Sequence, residues 1–327
     1  MNATQESSPG LRLSGNFQAS GASFLSGPSL SSVPDYYQVI NVCTAVLDEK
    51  AQLKFDYFAS KINIPMIKQV QADKNVTVLL SVGGEDVNFN FMDGNDKVTN
   101  FYNSLAEYYT LWGFNGVAFD ICRLDAVNLP YIERAMRWFH ESYPDAIISL
   151  IARATDVSPA AGGIYGAWNR MVPLINDLKD VIDWIQIKAY GYGKAFEELP
   201  KPQPVSPPLP DSIAVIPIGD SKKMLEYIFT SFVTPFIFNT PVDQEDTNSS
   251  IYGYYGFEAA KLMLGVLPAG YLGPEYYVEP EDLKLVISDI KETYKDMGGV
   301  MISSISDDAQ NLYDYTRRLT SDSSEYI

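Results

Sequence analysis

A chain of 327 residues with 46% hydrophobic and 20% charged side chains has the make-up of a globular protein able to bury a large core, which sets aside disorder as the default. Its 24 Lys plus Arg against 41 Asp plus Glu give a net charge of -17. With no local basic stripe, a nucleic-acid backbone would be repelled. No apolar run approaches the roughly 18 residues that a spanning helix needs, so no membrane span is expected.

The opening stretch "MNATQESSPGLRLSGNF" has neither the basic start nor the continuous apolar segment of a secretory signal. No signal peptide is read, and the expected location is cytoplasmic or, if exported, within a larger assembly. Cys43 and Cys122 lie in apolar strand-like runs, where buried free thiols are common, and do not suggest a disulfide framework. Without secretion, the sequons at Asn2, Asn75 and Asn248 carry little weight.

In chain order, eight short apolar runs recur: "LRLSGNF", "YYQVINVCTAV", "VTVLLSVGG", "GVAFDIC", "AIISLIARA", "VIDWIQIKAY", "KLMLGVLPAG" and "GGVMISSIS". Continuous apolar character is what strands covered on both faces show, as in parallel sheets. Between them, "NDKVTNFYNSLAEYYTLW" places Val98, Phe101, Tyr102, Leu105, Tyr109 and Trp112 near one helical face, and "NLPYIERAMRWFHESY" does the same with Ile132, Met136 and Phe139. "EPEDLKLVISDIKETYKDMGG" predicts a further helix with acidic residues in its first turn and Gly298 as its stop. The alternation predicts an α/β fold, a (β/α)8 TIM barrel, as one domain over residues 1–327.

Two kinds of segment interrupt the rhythm. Residues 193–255 are expected to form a long insertion between the sixth and seventh strands, beginning with a Pro-rich excursion that carries Pro200, Pro202, Pro204, Pro207, Pro208 and Pro210. Residues 1–10 and 319–327 are expected to be arms. The Tyr-rich "IYGYYGF" and "YLGPEYY" suit a protein interface or a glycan-stacking rim, with the interface favoured.

"SVGG" (Ser81 to Gly84), "GFNGVAFD", "QIKAY" (Gln186 to Tyr190), "LMLGVLPAG" and "GGVMISSISDD" follow one another on five predicted strands. In that order they resemble glycoside hydrolase family 18, the chitinase-like barrels. The resemblance implies a fourth strand reading Asp-x-x-Asp-x-Asp-x-Glu, whose carboxylates alternate into one lumen. Laid on this chain the four positions are Asn115, Ala118, Asp120 and Cys122. In the family the substrate's acetamido oxygen is the nucleophile, a protonated Glu at the strand tip donates to the leaving oxygen, and neighbouring Asp residues orient the acetamide. A thiol is a weak donor on a shorter arm, and loss of a positioned general acid costs about 10² to 10⁴ in rate.

Two further positions depart from the pattern. Ser303 stands where the family has a Trp floor beneath the reacting sugar, and Lys188 stands where an apolar residue is usual. The Lys188 charge could pair with Asp120 inside the lumen. The resemblance makes Asp120, Tyr190 and Gln186 the possible sugar-binding residues. The resulting expectation is a pseudoenzyme, a catalytically inactive structural or assembly component working through contacts with other subunits or copies of itself. Weak lectin-like binding of N-acetylglucosamine glycans is the alternative, and a residual or altered glycosidase the second.

No cofactor is implied. No His cluster or Cys pair at metal-ligand spacing is present, and "DGND", Asp93 to Asp96, reads as a turn before a calcium loop. "GGIYG", Gly162 to Gly166, lacks the strand-to-helix context of a dinucleotide loop. Cys122 as a nucleophile would need a base, and the single histidine, His140, is expected near the far end of the following helix.

Overall fold

The computed structural model describes residues 11–19, 27–55, 62–84, 95–121, 129–159, 168–191, 217, 219–239, 251–269 and 276–321. Eleven strands lie among them: β1 (Arg12–Gln18), β2 (Val39–Leu47), β3 (Leu53–Phe55), β4 (Thr77–Gly83), β5 (Gly116–Asp120), β6 (Ile147–Arg153), β7 (Trp184–Lys188), β8 (Phe236–Asn239), β9 (Ile251–Tyr254), β10 (Leu262–Val266) and β11 (Gly299–Ile302). The order β1-β11-β10-β7-β6-β5-β4-β2 is parallel throughout, and β1 also pairs with β2, which closes the barrel. All eight apolar runs of the sequence are barrel strands. Closure removes every exposed edge of the parallel sheet. The short β3 adds antiparallel to β2.

The helices are α1 (Ile64–Lys74), α2 (Asn95–Glu107), α3 (Leu129–Ser142), α4 (Val172–Asp177), α5 (Ser221–Val233), α6 (Pro280–Tyr294), α7 (Ile305–Gln310) and α8 (Asp314–Thr320). Local chemistry starts several of them. The Asn63 side chain accepts from the Met66 amide at the head of α1, Asp220 accepts from Lys223 at the head of α5, and Ser304 accepts from Asp307 at the head of α7. In α3 the buried residues Ile132, Ala135, Met136 and Phe139 recur at helical spacing. Tyr102 on α2 stacks on Trp138 of α3 with ring centroids 4.4 Å apart. The α6 helix ends earlier than the glycines after it suggest: Lys295, at φ 69°, closes it by returning its amide to the Lys291 carbonyl.

Side chains alternate along each barrel strand. Val117 and Phe119 of β5, or Ile185 and Ile187 of β7, join the large core between sheet and helices. The intervening residues face the lumen, where Val39, Leu79, Ala118 and Ile151 form a small separate apolar cluster. Beneath it, Trp184 carries the Arg12 guanidinium 4.5 Å from its ring centroid. Close strand packing at the start of β5 needs glycine: a Cβ on Gly116 would sit 1.9 Å from the Ile147 carbonyl oxygen.

Within residues 193–255, α5 is a barrel-layer helix with Met224, Leu225, Ile228, Phe229 and Phe232 buried. It is followed by the two-stranded β8–β9 hairpin. Asn176 brackets one edge of β9, donating to the Gly253 carbonyl and accepting from the Tyr255 amide. The prolines at 200–210 lie outside the described residues, as do Asp93, the loop 162–166 and the termini 1–10 and 322–327. The C-terminal α8 helix reaches Thr320, with Leu319 buried.

The last two helices are tied to the loop before β2 through a buried carboxylate. Tyr37 Oη and Thr316 Oγ1 both donate to Asp308 Oδ2, at 2.8 and 2.5 Å, while Oδ1 has no hydrogen-bond partner among the described residues. Burial raises the Asp308 pKa, against the lowering effect of the two hydroxyls. A raised folded-state value means that this group's stabilisation is complete below the ordinary carboxylate range and is lost as pH rises through the folded value. Asp308→Asn keeps the accepting oxygen and removes the buried charge. It is expected to match or exceed the parent stability at pH 7, by up to about 1 kcal/mol, and to flatten the pH dependence above pH 4. Asp308→Ala strands both hydroxyls and should cost about 1–3 kcal/mol. Urea unfolding from pH 4 to 8 checks both variants.

Candidate functional site

The lumen-facing residues change character along the barrel. Its middle layer is polar, where barrels of this kind are usually filled by branched apolar side chains. Gln186 Oε1 accepts from Ser14 Oγ at 2.9 Å and Asn41 Nδ2 at 2.8 Å, and its Nε2 donates to Ser149 Oγ at 2.8 Å and Asn41 Oδ1 at 3.3 Å. Asn41 Nδ2 also reaches Asn16 Oδ1 at 2.9 Å. Ser14, Asn41, Ser149 and Gln186 have no exposed surface, so the Gln186 amide is committed to four protein contacts below the opening. Such a fully paired network rigidifies the floor of the site.

At the C-terminal ends of the strands stand Cys43, Ser81, Asp120, Lys188 and Ser303, each buried. This is the end of a TIM barrel that carries function. Lys188 Nζ lies 2.8 Å from Asp120 Oδ2 and 3.0 Å from Oδ1, and both side chains are only 10% exposed. The geometry follows from the register. Asp120 is level with Ile151 on β6, Arg153 is level with Lys188 on β7, and the long lysine arm spans the intervening strand. Desolvation of both ions is offset only by close contact of this kind.

The neighbours of the pair set its chemistry. Burial pushes the Cys43 thiol up to about 12, Asp120 adds to the rise, and Ser81 and Lys188 oppose it. The thiol therefore stays protonated and is a poor nucleophile. Asp156, three residues beyond β6, is buried with its pKa raised by burial, against the pull of the Arg153 amide, Arg170, Arg153 and Lys188. Its Oδ2 accepts from the Arg153 amide at 2.7 Å, while Oδ1 has no hydrogen-bond partner among the described residues. The Ser303 hydroxyl likewise has no hydrogen-bond partner among the described residues, and its amide bonds to the Val266 carbonyl at 2.9 Å.

The other sequence-derived positions fall in different places. Asn115 precedes β5 at the opposite end of the barrel, where its Oδ1 accepts from Gln71 Nε2 at 2.8 Å and the Val78 amide at 2.7 Å. It joins α1, β4 and β5. Ala118 belongs to the small lumen cluster, one layer below Asp120. Tyr190 is half-buried just past β7. Cys122 lies outside the described residues, and His140 is in the last turn of α3. Asp156 escaped the sequence reading, although its place just after a barrel strand is the signal that could have found it. Among the described residues no group of His, Cys, Asp or Glu could hold a metal ion, and no helix is long and apolar enough to cross a membrane.

A closed parallel barrel whose ionisable side chains gather at the C-terminal strand ends defines a TIM-barrel protein of the enzyme-like layout. The sequence pattern of the glycosyl hydrolases family 18 matches residues 17–272, and the chain belongs to that family. Among solved structures it is similar to a family GH18 chitinase from Chromobacterium violaceum, at 19% identity and a TM-score of 0.75, covering 94% of this chain and 82% of that one. The Legionella pneumophila ChiA C-terminal domain gives 15% identity and a TM-score of 0.67, covering 94% and 97%. A fungal endo-beta-N-acetylglucosaminidase of family 18 gives 16% and 0.55, covering 90% and 89%. At these identities the likeness speaks for the fold. No curated protein matches the chain.

Proposed function

We propose that this chain is a family-18 barrel that does not hydrolyse glycosides and serves as a structural or assembly component through protein contacts. One observation carries the loss of catalysis: the single carboxylate left in the fourth-strand pattern, Asp120, has both oxygens taken by Lys188 in a buried pair. A carboxylate held in this way does not orient an acetamide unless the ligand displaces the ammonium, at the cost of a buried charge left uncompensated. The other pattern positions agree. Asn115 is a structural bracket, Ala118 is packing, and Cys122 occupies the place of the acid by sequence.

The barrel supplies a rigid platform, and its hairpin supplies a surface. Ile237 on β8 is 41% exposed and Tyr255, just past β9, is 66% exposed, as aromatic and aliphatic anchors of an interface are. The Pro-rich excursion of the 193–255 insertion and the Tyr-rich segments are assigned to the same contacts. A second reading is weak binding of N-acetylglucosamine glycans at the mouth, supported by Tyr190 there and by the chitinase and endo-beta-N-acetylglucosaminidase named among similar structures.

The test has two arms. Release of a fluorescent leaving group from an N-acetylglucosamine glycoside is expected to stay at the blank, and turnover clearly above it would overturn the non-catalytic reading. Native mass measurement of the protein purified from its source is expected to show a complex with itself or other subunits, and a lone monomer would remove the assembly role.

A further inference from the structure

A cleft of about 490 Å³ opens between the turn joining α7 to α8 and the segment leading into α6, and its lining includes none of Asp120, Lys188, Tyr190 and Ser303. Its volume lies in the range of about 300–1,000 Å³ typical of small-ligand sites. Pro268, Tyr277 and Leu312 give it apolar walls, and Gln310, Asn311 and Arg318 give it polar ones. Leu312 and Tyr313 both adopt left-handed backbone, at φ 54° and 57°, and Leu312 is left 79% exposed on the wall of the cleft. The left-handed pair closes α7, the Tyr313 amide bonding to the Asp308 carbonyl and the Leu312 amide to the Ala309 carbonyl, and so holds Leu312 on the wall of the cleft.

The charges of the cleft are already satisfied. Arg318 donates to Glu281 through Nε at 3.0 Å and to Glu279 at 3.0 Å, and lies 3.7 Å from Asp314. Arg317 donates to Asp314 at 2.9 Å. Two guanidinium groups against three carboxylates leave no positive surplus for an anion, and the carboxylates face guanidinium groups that would oppose an incoming cation. The Tyr277 ring is fixed in advance, edge-on to Tyr315 at 5.9 Å and with its hydroxyl on Glu279 at 3.3 Å. What remains is a held aromatic ring, two side-chain amides and an apolar wall. That combination suits a neutral ligand with an apolar ring face and a rim of hydroxyls.

We propose that this cleft binds a short neutral oligosaccharide, at a site separate from the barrel lumen. Isothermal titration of the intact chain with chitotriose tests it. Saturable binding is expected, weakened at least fivefold by the double variant Gln310→Ala/Asn311→Ala and changed less than twofold by Tyr190→Ala at the lumen mouth. Circular dichroism melting of each variant confirms that it is folded. A flat titration overturns the proposal. So does binding lost with Tyr190→Ala and kept by the double variant, or tighter binding of anionic trigalacturonate than of chitotriose. The outcome is independent of the glycosidase assay, so failure of the non-catalytic reading and failure of this one are distinguishable.

Discussion

Replacing Lys188 by alanine is expected to lower the unfolding free energy by about 3–5 kcal/mol, the cost of stripping one partner from a buried ion pair. The reason is the environment of Asp120. Its residue is 7% exposed, and both of its oxygens contact the ammonium at 3.0 Å or less. Without the ammonium the buried carboxylate loses the charge that faces both of its oxygens. The double variant Asp120→Leu/Lys188→Met removes both charges at similar volume and is expected to return to within about 1–2 kcal/mol of the parent, or above it. Urea unfolding of the parent, the two single variants and the double variant gives the coupling directly. A single-variant loss below about 1 kcal/mol would show that the pair is a solvent-screened contact, and the main argument for a blocked lumen would go with it.

The second large effect concerns catalysis. Restoring the family pattern by Cys122→Glu and Ala118→Asp is expected to give no robust turnover of an N-acetylglucosamine glycoside. Asp120 stays on Lys188, and Ser303 gives no floor for the sugar ring. Adding Lys188→Met and Ser303→Trp releases the carboxylate and supplies a stacking surface. The four-site variant is expected to exceed the two-site variant by about 10² to 10³, the usual worth of one well-placed stabilising group at the reacting centre. Initial rates with a fluorogenic substrate decide the matter. Robust turnover by the two-site variant would mean that neither Lys188 nor Ser303 is an obstacle.

The two variants also show how far residue patterns can be read. That a lysine on the sixth barrel strand and an aspartate on the fourth share a lumen can be anticipated, because alternate residues of a strand point the same way. That the pair consumes both carboxylate oxygens cannot, since it depends on strand stagger across an intervening β6. Gln186 shows the same limit. By motif it is a sugar-facing candidate, whereas in the folded chain its amide is spent on Ser14, Asn41 and Ser149, the first two more than 140 positions away. Asn115, read as one of four catalytic positions, sits at the other end of the barrel as a bracket between α1, β4 and β5.

The eight strands were legible as short continuous apolar runs, and the amphipathic faces of α2 and α3 as apolar residues every three to four positions, local signals that need no partner to be recognised. The helix α5 was hidden by the prolines upstream of it, although Asp220 marks its start in the usual capping position. The polar layer of the lumen was hidden for a different reason. Asn41, Ser149 and Gln186 each stand alone within an apolar run, and a lone polar residue signals nothing until closure of the barrel brings it against the others. Local apolar patterning, carried by neighbours in the chain, thus settled the architecture. Which charge meets which, and which amide is already spoken for, was settled by contacts between residues far apart in sequence, because a hydrogen bond or ion pair depends on distance in space.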